Sequence, residues 1–195
     1  MRTSKTILRW WLIGYLTGDS TLQNWGLKTG SANPAIAARL RKLLGEPWVR
    51  PPRGSNRKKL YVFRVTDPAV IKIVMAMKKG IAPERFGEIK MRGWLGGYLD
   101  ADGYVKKIDP IAGELMTIDW RLVKLITSCC DRLGISWSIK LDYKYNGALR
   151  KNPLFRIYAR PLHKIPAVKI EIKKSRYYAG GPGFESQRPH HPQNI

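Results

Sequence analysis

The amino-acid sequence predicts an α+β protein built from two copies of one unit. Three observations carry that prediction. First, 44% of the 195 residues are hydrophobic, including seven Trp and nine Tyr, which supplies enough apolar surface for one good core or two small subdomains. Second, a stretch near the N-terminus is repeated in the middle of the chain. Third, segments with helical and strand-like periodicity alternate within each copy.

The repeat is visible by eye. Residues 11–22 read WLIGYLTGDSTL and residues 94–105 read WLGGYLDADGYV. The two share Trp11/Trp94, Leu12/Leu95, Gly14/Gly97, Tyr15/Tyr98, Leu16/Leu99 and Asp19/Asp102. Further matches follow in the same order: Leu44-Gly45 with Trp48 against Leu133-Gly134 with Trp137, Phe63-Arg64-Val65 against Phe155-Arg156-Ile157, and Lys78-Lys79 against Lys173-Lys174. The spacing between matches only grows, as it must if the second copy has longer loops. The expected organisation is a first repeat over 1–90, a second over 91–176 and a flexible tail over 177–195.

Each element has a local reason. Apolar helices are expected over 8–19 and 92–102, then short strands of alternating polarity over Gln23–Lys28 and Tyr104–Ile108. Asn33-Pro34 starts a helix, with Pro at its first position and Ile36, Leu40, Leu43 and Leu44 as its apolar stripe. Gly45 and Gly134 suit helix ends. Strands are expected around Trp48–Arg50, Leu60–Thr66, Trp137–Tyr143 and Phe155–Arg160, and a last helix or turn ends in each Lys pair. The stretches Pro51–Asn56 and Asn146–Pro153 read as loops. The basic, then apolar, N-terminal stretch resembles a signal segment, but Arg9 interrupts it and it reads as a core helix.

Charge narrows the partners. Thirty-six Lys and Arg against 14 Asp and Glu give +22, divided as +13 over residues 1–90, +8 over 91–175 and +1 beyond. The excess therefore belongs to the folded part and points to a polyanion, with nucleic acid as the default. No apolar run is long enough for a membrane span. Cys129 and Cys130 are adjacent in an apolar stretch and read as buried thiols of a reducing, intracellular protein. No role is assigned to His163, His190 or His191.

Two motif helices carry the chemistry. Gly14 and Gly18, and likewise Gly97 and Ala101, put small residues one turn apart on one face. If those faces pack together, Asp19 and Asp102 meet at a shared end. Two carboxylates at the negative ends of two helices are locally unfavourable. Such rule-breaking is expected at functional sites, and divalent cations would offset it. The alternative is that each Asp simply ends its helix, with Asp102-Gly103 as a turn pair.

At 95–103 the sequence LGGYLDADG resembles the LAGLIDADG motif, and LIGYLTGDS at 12–20 resembles a degenerate first copy. Over about residues 8–175 the chain is similar to single-chain, two-repeat LAGLIDADG homing endonucleases, which are encoded in introns or inteins. The resemblance implies two pseudo-symmetric αββαββα repeats. Antiparallel, saddle-shaped sheets would straddle DNA, with the motif helices packed at the centre. It implies a monomeric, site-specific endonuclease cutting a long asymmetric double-stranded DNA target across the minor groove. It also implies catalytic Mg²⁺, or another divalent cation such as Mn²⁺, at Asp19 and Asp102, with the Gly18 and Ala101 carbonyls as further metal contacts. A lysine beside the scissile phosphate is expected from the pairs Lys78, Lys79, Lys173 and Lys174. The first motif departs from the family pattern at Thr17 and Ser20. The positions Thr29-Gly30-Ser31 and Thr117-Ile118-Asp119 lack the usual Gln or Lys.

DNA contacts are expected from residues on or near predicted strands: Lys28, Arg50, Arg64, Lys106, Lys140, Lys144, Arg156, Tyr158 and Arg160. Loop residues Arg53, Arg57, Lys58 and Arg150 could reach phosphates. Arg64 and Arg156 stand out because the repeat makes them equivalent. An intron RNA maturase, with intron RNA as partner, and a non-catalytic DNA-binding protein of the same fold are the alternatives, and a ribosomal RNA-binding protein is a more distant one. The compartment would be the cytoplasm of a prokaryote or archaeon, or an organelle if the intron is organellar.

Overall fold

Helices α1 (Arg2–Gly18) and α4 (Glu88–Asp102) cross at the centre of the molecule, and everything else is arranged around them. The computed structural model describes residues 2–52, 59–106, 111–145 and 148–172, apart from the side chains of 2, 3, 144, 145 and 148–151. After α1 come β1 (Thr21–Gln23), β2 (Gly26–Ser31), α2 (Pro34–Leu44), β3 (Trp48–Arg50), β4 (Leu60–Val65) and α3 (Pro68–Lys78). After α4 come β5 (Gly103–Val105), β6 (Gly113–Thr117), α5 (Trp120–Arg132), β7 (Ser136–Tyr145) and β8 (Ala148–Arg160). A 3₁₀ turn at Leu162–Lys164 and a helical stretch over 168–172 complete the described chain.

The two sheets have the same construction, β1-β2-β4-β3 and β5-β6-β8-β7, antiparallel throughout. Their registers also agree. Thr29 faces Phe63 and Lys28 faces Arg64 in the first, while Thr117 faces Phe155 and Met116 faces Arg156 in the second. One face of each sheet packs on the helices and buries Leu27, Phe63 and Val65, or Leu115, Ile157 and Ala159. The other face is open. Period-two alternation thus puts Lys28 and Arg64, and Arg156, Tyr158 and Arg160, on the open faces. The α+β fold with two antiparallel sheets and central motif helices is the expected one.

Local signals explain the helix ends. Asn33 caps α2 by accepting from the Ala35 N–H at 3.0 Å, with Pro34 behind it. Asp67 and Asp119 cap α3 and α5 in the same way. Gly45 and Gly134 follow α2 and α5 with φ of 84° and 60°, which glycine adopts without strain. Both cysteines of α5 are buried, and burial pushes their thiols up to about 12.

Three expectations need correction. Both motif helices begin earlier than their apolar periodicity indicates, because Ser4 and Lys5 in α1 and Glu88 and Ile89 in α4 face solvent and stand outside the apolar stripe. The single strand over Gln23–Lys28 is a hairpin, since the turn at Asn24-Trp25 divides β1 from β2. The loop over Asn146–Pro153 is mostly the start of β8. Pro153 is tolerated there because it lies beyond the part of β8 that pairs on both sides, next to a register shift between Asp142 and Lys144. The tail from 177, and residues 53–58, 107–110 and 173–176, lie outside the described residues. No helix among the described residues is long and apolar enough to cross a membrane.

Candidate functional site

The crossing of α1 and α4 is reciprocal. A Cβ on Gly14 would collide with the Trp94 carbonyl oxygen, and a Cβ on Gly97 with the Trp11 carbonyl oxygen. Gly14/Gly97 and Trp11/Trp94 are equivalent pairs in the repeat, so each helix receives the other's backbone where it has no side chain. Lower down, a Cβ on Gly18 would lie 2.6 Å from the Ala101 Cβ and 3.0 Å from Asp102 Oδ2. Small residues on both faces therefore bring the last residues of the motifs together, as expected from their spacing.

The indoles lock this crossing. Trp11 Nε1 donates to Asp100 at 2.8 Å, and Trp94 Nε1 donates to the Thr17 hydroxyl at 3.2 Å. Thr17 and Asp100 are again equivalent positions, 3% and 2% exposed. Asp100 does more than Thr17. It also accepts the backbone N–H groups of Val168 (2.6 Å) and Lys169 (2.8 Å), capping the helical stretch over 168–172 from across the core.

Asp19 and Asp102 stand at the ends of α1 and α4. Burial raises both carboxyls above the ordinary carboxylate range, and for Asp102 the nearby Asp19 charge raises it further. Two lysines counteract this by lowering both: Lys78 at the end of α3 and Lys169 from the second half. Lys78 Nζ donates to the Ser20 carbonyl at 3.0 Å. Lys169 Nζ donates to the carbonyls of Leu99 (3.1 Å) and Gly103 (2.6 Å). Ser20 and Gly103 are the residues that follow the two aspartates, so the lysines reach matching positions. Burial lowers both ammonium groups and the aspartates oppose that shift.

Asp102 accepts no hydrogen bond among the described residues, and Asp19 takes only a long one from Tyr15 (3.4 Å). Tyr15 gives its shorter bond to the Gly30 carbonyl at 2.8 Å. Thr29 Oγ1 donates to the Asp19 carbonyl, which ties the motif turn to β2. Two partly buried, mutually repelling carboxylates with open lone pairs, beside the carbonyl-rich ends of two helices, form a hard-oxygen donor set that suits Mg²⁺ or Mn²⁺. No group of three or more His, Cys, Asp or Glu clusters among the described residues. Such a cation would therefore need water and phosphate to complete its shell.

The residues singled out in the sequence fall into distinct places. Asp19, Asp102, Gly18, Ala101 and Lys78 converge at this site, whereas Lys79 is exposed at the α3 C-cap. Lys173 and Lys174 lie outside the described residues. Lys169 was not foreseen, because pairing the Lys doublets by order pointed four residues too far along. The repeated Pro-Ala-Val at 68–70 and 166–168 was a signal that a helix begins there. Asp100 was also missed as a capping residue, since its partners are 68 and 69 residues away in the chain.

Lys28, Arg64, Lys140 and Arg160 are exposed on strands, as is Lys106 just past β5, while Arg50, Arg156 and Tyr158 are half-buried. Arg64 lies 5.0 Å from the Trp25 ring, and Lys106 5.5 Å from the Tyr158 ring. Arg156 is ion-paired with Glu114 and Asp142. Arg53, Arg57 and Lys58, and the side chains of Lys144 and Arg150, lie outside the described residues.

No family model matches the chain, and no curated protein does either. Solved structures do. The chain is similar to the N-terminal LAGLIDADG domain of DUF199/WhiA, with 14% identity and a TM-score of 0.52 over 86% of this chain and 78% of that one. It is similar to I-DmoI in complex with its target DNA nicked in the coding strand, with 12% identity and a TM-score of 0.51 over 91% and 97% of the two chains. It also matches I-DmoI in complex with DNA and Ca, with 10% identity and a TM-score of 0.54 over 87% and 98%. At these identities the likeness is one of fold. The chain has the LAGLIDADG fold.

Proposed function

We propose that this protein is a divalent-metal-dependent, site-specific endodeoxyribonuclease acting on double-stranded DNA. One observation carries the reading: Asp19 and Asp102 are brought side by side by a reciprocal helix crossing, and among the described residues their carboxylates accept only one long hydrogen bond, from Tyr15 to Asp19, while Asp100, two residues before Asp102, is fully engaged inside the core. A carboxylate that only ended its helix would not need a partner of the same sign. The homing endonuclease I-DmoI, whose structures hold DNA with Ca or Mn, shares the fold and supports the same reading. The strongly basic composition supplies the affinity for phosphates.

Asp19 and Asp102, with the Gly18 and Ala101 carbonyls, would hold the metal, and the ammonium groups of Lys78 and Lys169 would draw a phosphate to the site. A bound divalent cation would supply an activated water and Lewis-acid stabilisation of the developing charge. The half-buried lysines hold positive charge where the phosphoryl oxygens would gain negative charge. The open faces of the two sheets would lie along the DNA grooves. Homing of an intron or intein, in the compartment that houses it, and action as a monomer follow from the same reading. A DNA-binding protein without catalysis, or an intron RNA maturase, would not require both aspartates.

The decisive experiment is linearisation of plasmids carrying candidate intron-less sequences, with Mg²⁺ and with EDTA, by the native protein, Asp19→Asn and Asp102→Asn. Cleavage only with metal, lost in either variant while DNA binding persists, upholds the reading. Selective binding without cleavage of any target would overturn it and favour the binding-only alternative.

A further inference from the structure

Arg156 stands on the open face of the second sheet, held from two sides. Its Nε and Nη2 donate to Asp142 Oδ2 on β7 at 3.3 and 3.0 Å, and its Nη1 donates to Glu114 Oε2 on β6 at 3.3 Å. Nη1 also donates to the Met116 sulfur at 4.0 Å. A guanidinium carries five N–H groups. Asp142 takes the one on Nε and one on Nη2, and Glu114 takes one on Nη1. One N–H on Nη2 is left, and the second on Nη1 is held only by the weakly accepting Met116 sulfur, so each terminal nitrogen has an N–H that a stronger acceptor can take, a fork of two donors. That side chain is held by two carboxylates and still remains 32% exposed.

The charge of the cluster decides what the fork can meet. One cation sits between two anions, so a phosphate oxygen approaching Arg156 would also approach two carboxylates. A base edge is neutral and meets no such repulsion. In the major groove, guanine presents N7 and O6 as adjacent acceptors, the pair that an arginine fork matches. The equivalent residue in the first half has the opposite surroundings. Arg64 faces Lys28 across the ladder and lies over Trp25, with no carboxylate paired to it among the described residues. Two cations side by side repel unless an anion joins them, which suits a phosphate.

Resting on the proposed site-specific binding of DNA, we infer that Arg156 reads one guanine in the half-site beneath the second sheet, with Glu114 and Asp142 orienting its guanidinium. Arg64, its counterpart, holds the backbone.

The test is selection from a randomised duplex DNA library in Mg²⁺. It uses the full chain carrying Asp19→Asn and Asp102→Asn so that nothing is cut. Arg156→Lys is then added, and separately Asp142→Asn and Arg64→Lys. Arg156→Lys keeps the charge but loses the fork. It should abolish a G preference at one position and leave the others intact, reducing discrimination there by roughly 5- to 150-fold, from about 1–3 kcal/mol for a bidentate pair. Asp142→Asn should broaden the same position, and Arg64→Lys should change no base preference. The inference is overturned if Arg156→Lys leaves every preference unchanged, or if it weakens binding to all sequences alike, as loss of a phosphate contact would. If the parent protein selects no sequence at all, the site-specific reading itself fails and this inference fails with it.

Discussion

Thr17 and Asp100 occupy the same place in the two motif helices, and both receive an indole N–H from the opposite helix. There the likeness stops. Thr17 turns its hydroxyl back onto the Ile13 carbonyl at 2.7 Å, whereas Asp100 holds the start of the helical stretch that carries Lys169. In the first half Asp67, a local cap, performs that task for α3. The two halves thus reach the same result, a lysine beside the paired aspartates, by different routes. The difference teaches that pseudo-symmetry is strict only where the halves touch each other or the paired aspartates. Elsewhere each copy is free to diverge, as the surroundings of Arg64 and Arg156 also illustrate.

The largest effect should come from the point of strictest symmetry. Asp19→Asn and Asp102→Asn are each expected to lower linear-product formation by about 10³-fold or more, the scale of removing a key charge-stabilising group. Gel quantification under identical metal conditions checks this, and a variant that cuts normally would mean the two carboxylates are not equivalent.

Next is the crossing itself. Gly14→Ala and Gly97→Ala each drive a methyl group into a facing carbonyl, and each should cost about 3 kcal/mol. Urea unfolding of both variants measures whether the penalty is reciprocal. Near-zero cost in either one would show that the contact belongs to one half only.

Asp100→Ala strands three donors, two of them in the backbone, and should destabilise by about 3 kcal/mol. Thr17→Ala removes a single acceptor and should cost about 1 kcal/mol. A threefold difference in the shift of the urea midpoint would confirm that the acid has acquired the extra work. Equal shifts would remove Asp100 from its capping role.

A smaller effect concerns pH. Burial raises Asp19 and Asp102 above the ordinary value of 3.8, so the fold prefers their protonated forms. The stability this provides is present below that value and is lost as pH rises through the folded pKa values. Asn at either position should therefore be more stable than the native protein at neutral pH without metal. Relief of about 1 kcal/mol would correspond to roughly 2–4 °C in Tm. Calorimetry with EDTA checks the sign, and a lower Tm for both variants would show that the aspartates are stabilising there. The smallest expected change is in salt dependence: Arg64→Ala should reduce the slope of log affinity against log salt by about 1, and Lys28→Ala likewise.

Much of this was legible in the sequence. The duplicated motif, the Asn33-Pro34 start and the alternating strands are local patterns, set by periods of 3.6 and 2 and by the turn chemistry of Gly and Pro. They determined the α+β class, the pairing of the motif helices and the meeting of Asp19 with Asp102. The strongly basic composition likewise pointed to a polyanionic partner. Other features depended on residues far apart in the chain. The identity of the second lysine turned on how the chain after β8 returns to α4, where Asp100 meets N–H groups 68 and 69 residues away. The different surroundings of Arg64 and Arg156 turned on which side chains the ladders set beside them, Lys28 in one sheet and Glu114 and Asp142 in the other. A sequence repeat specifies equivalent backbones, because backbone pairing follows local pattern. The electrostatic environment of a side chain is fixed by its neighbours across the strands and across the core, and only the tertiary structure chooses those.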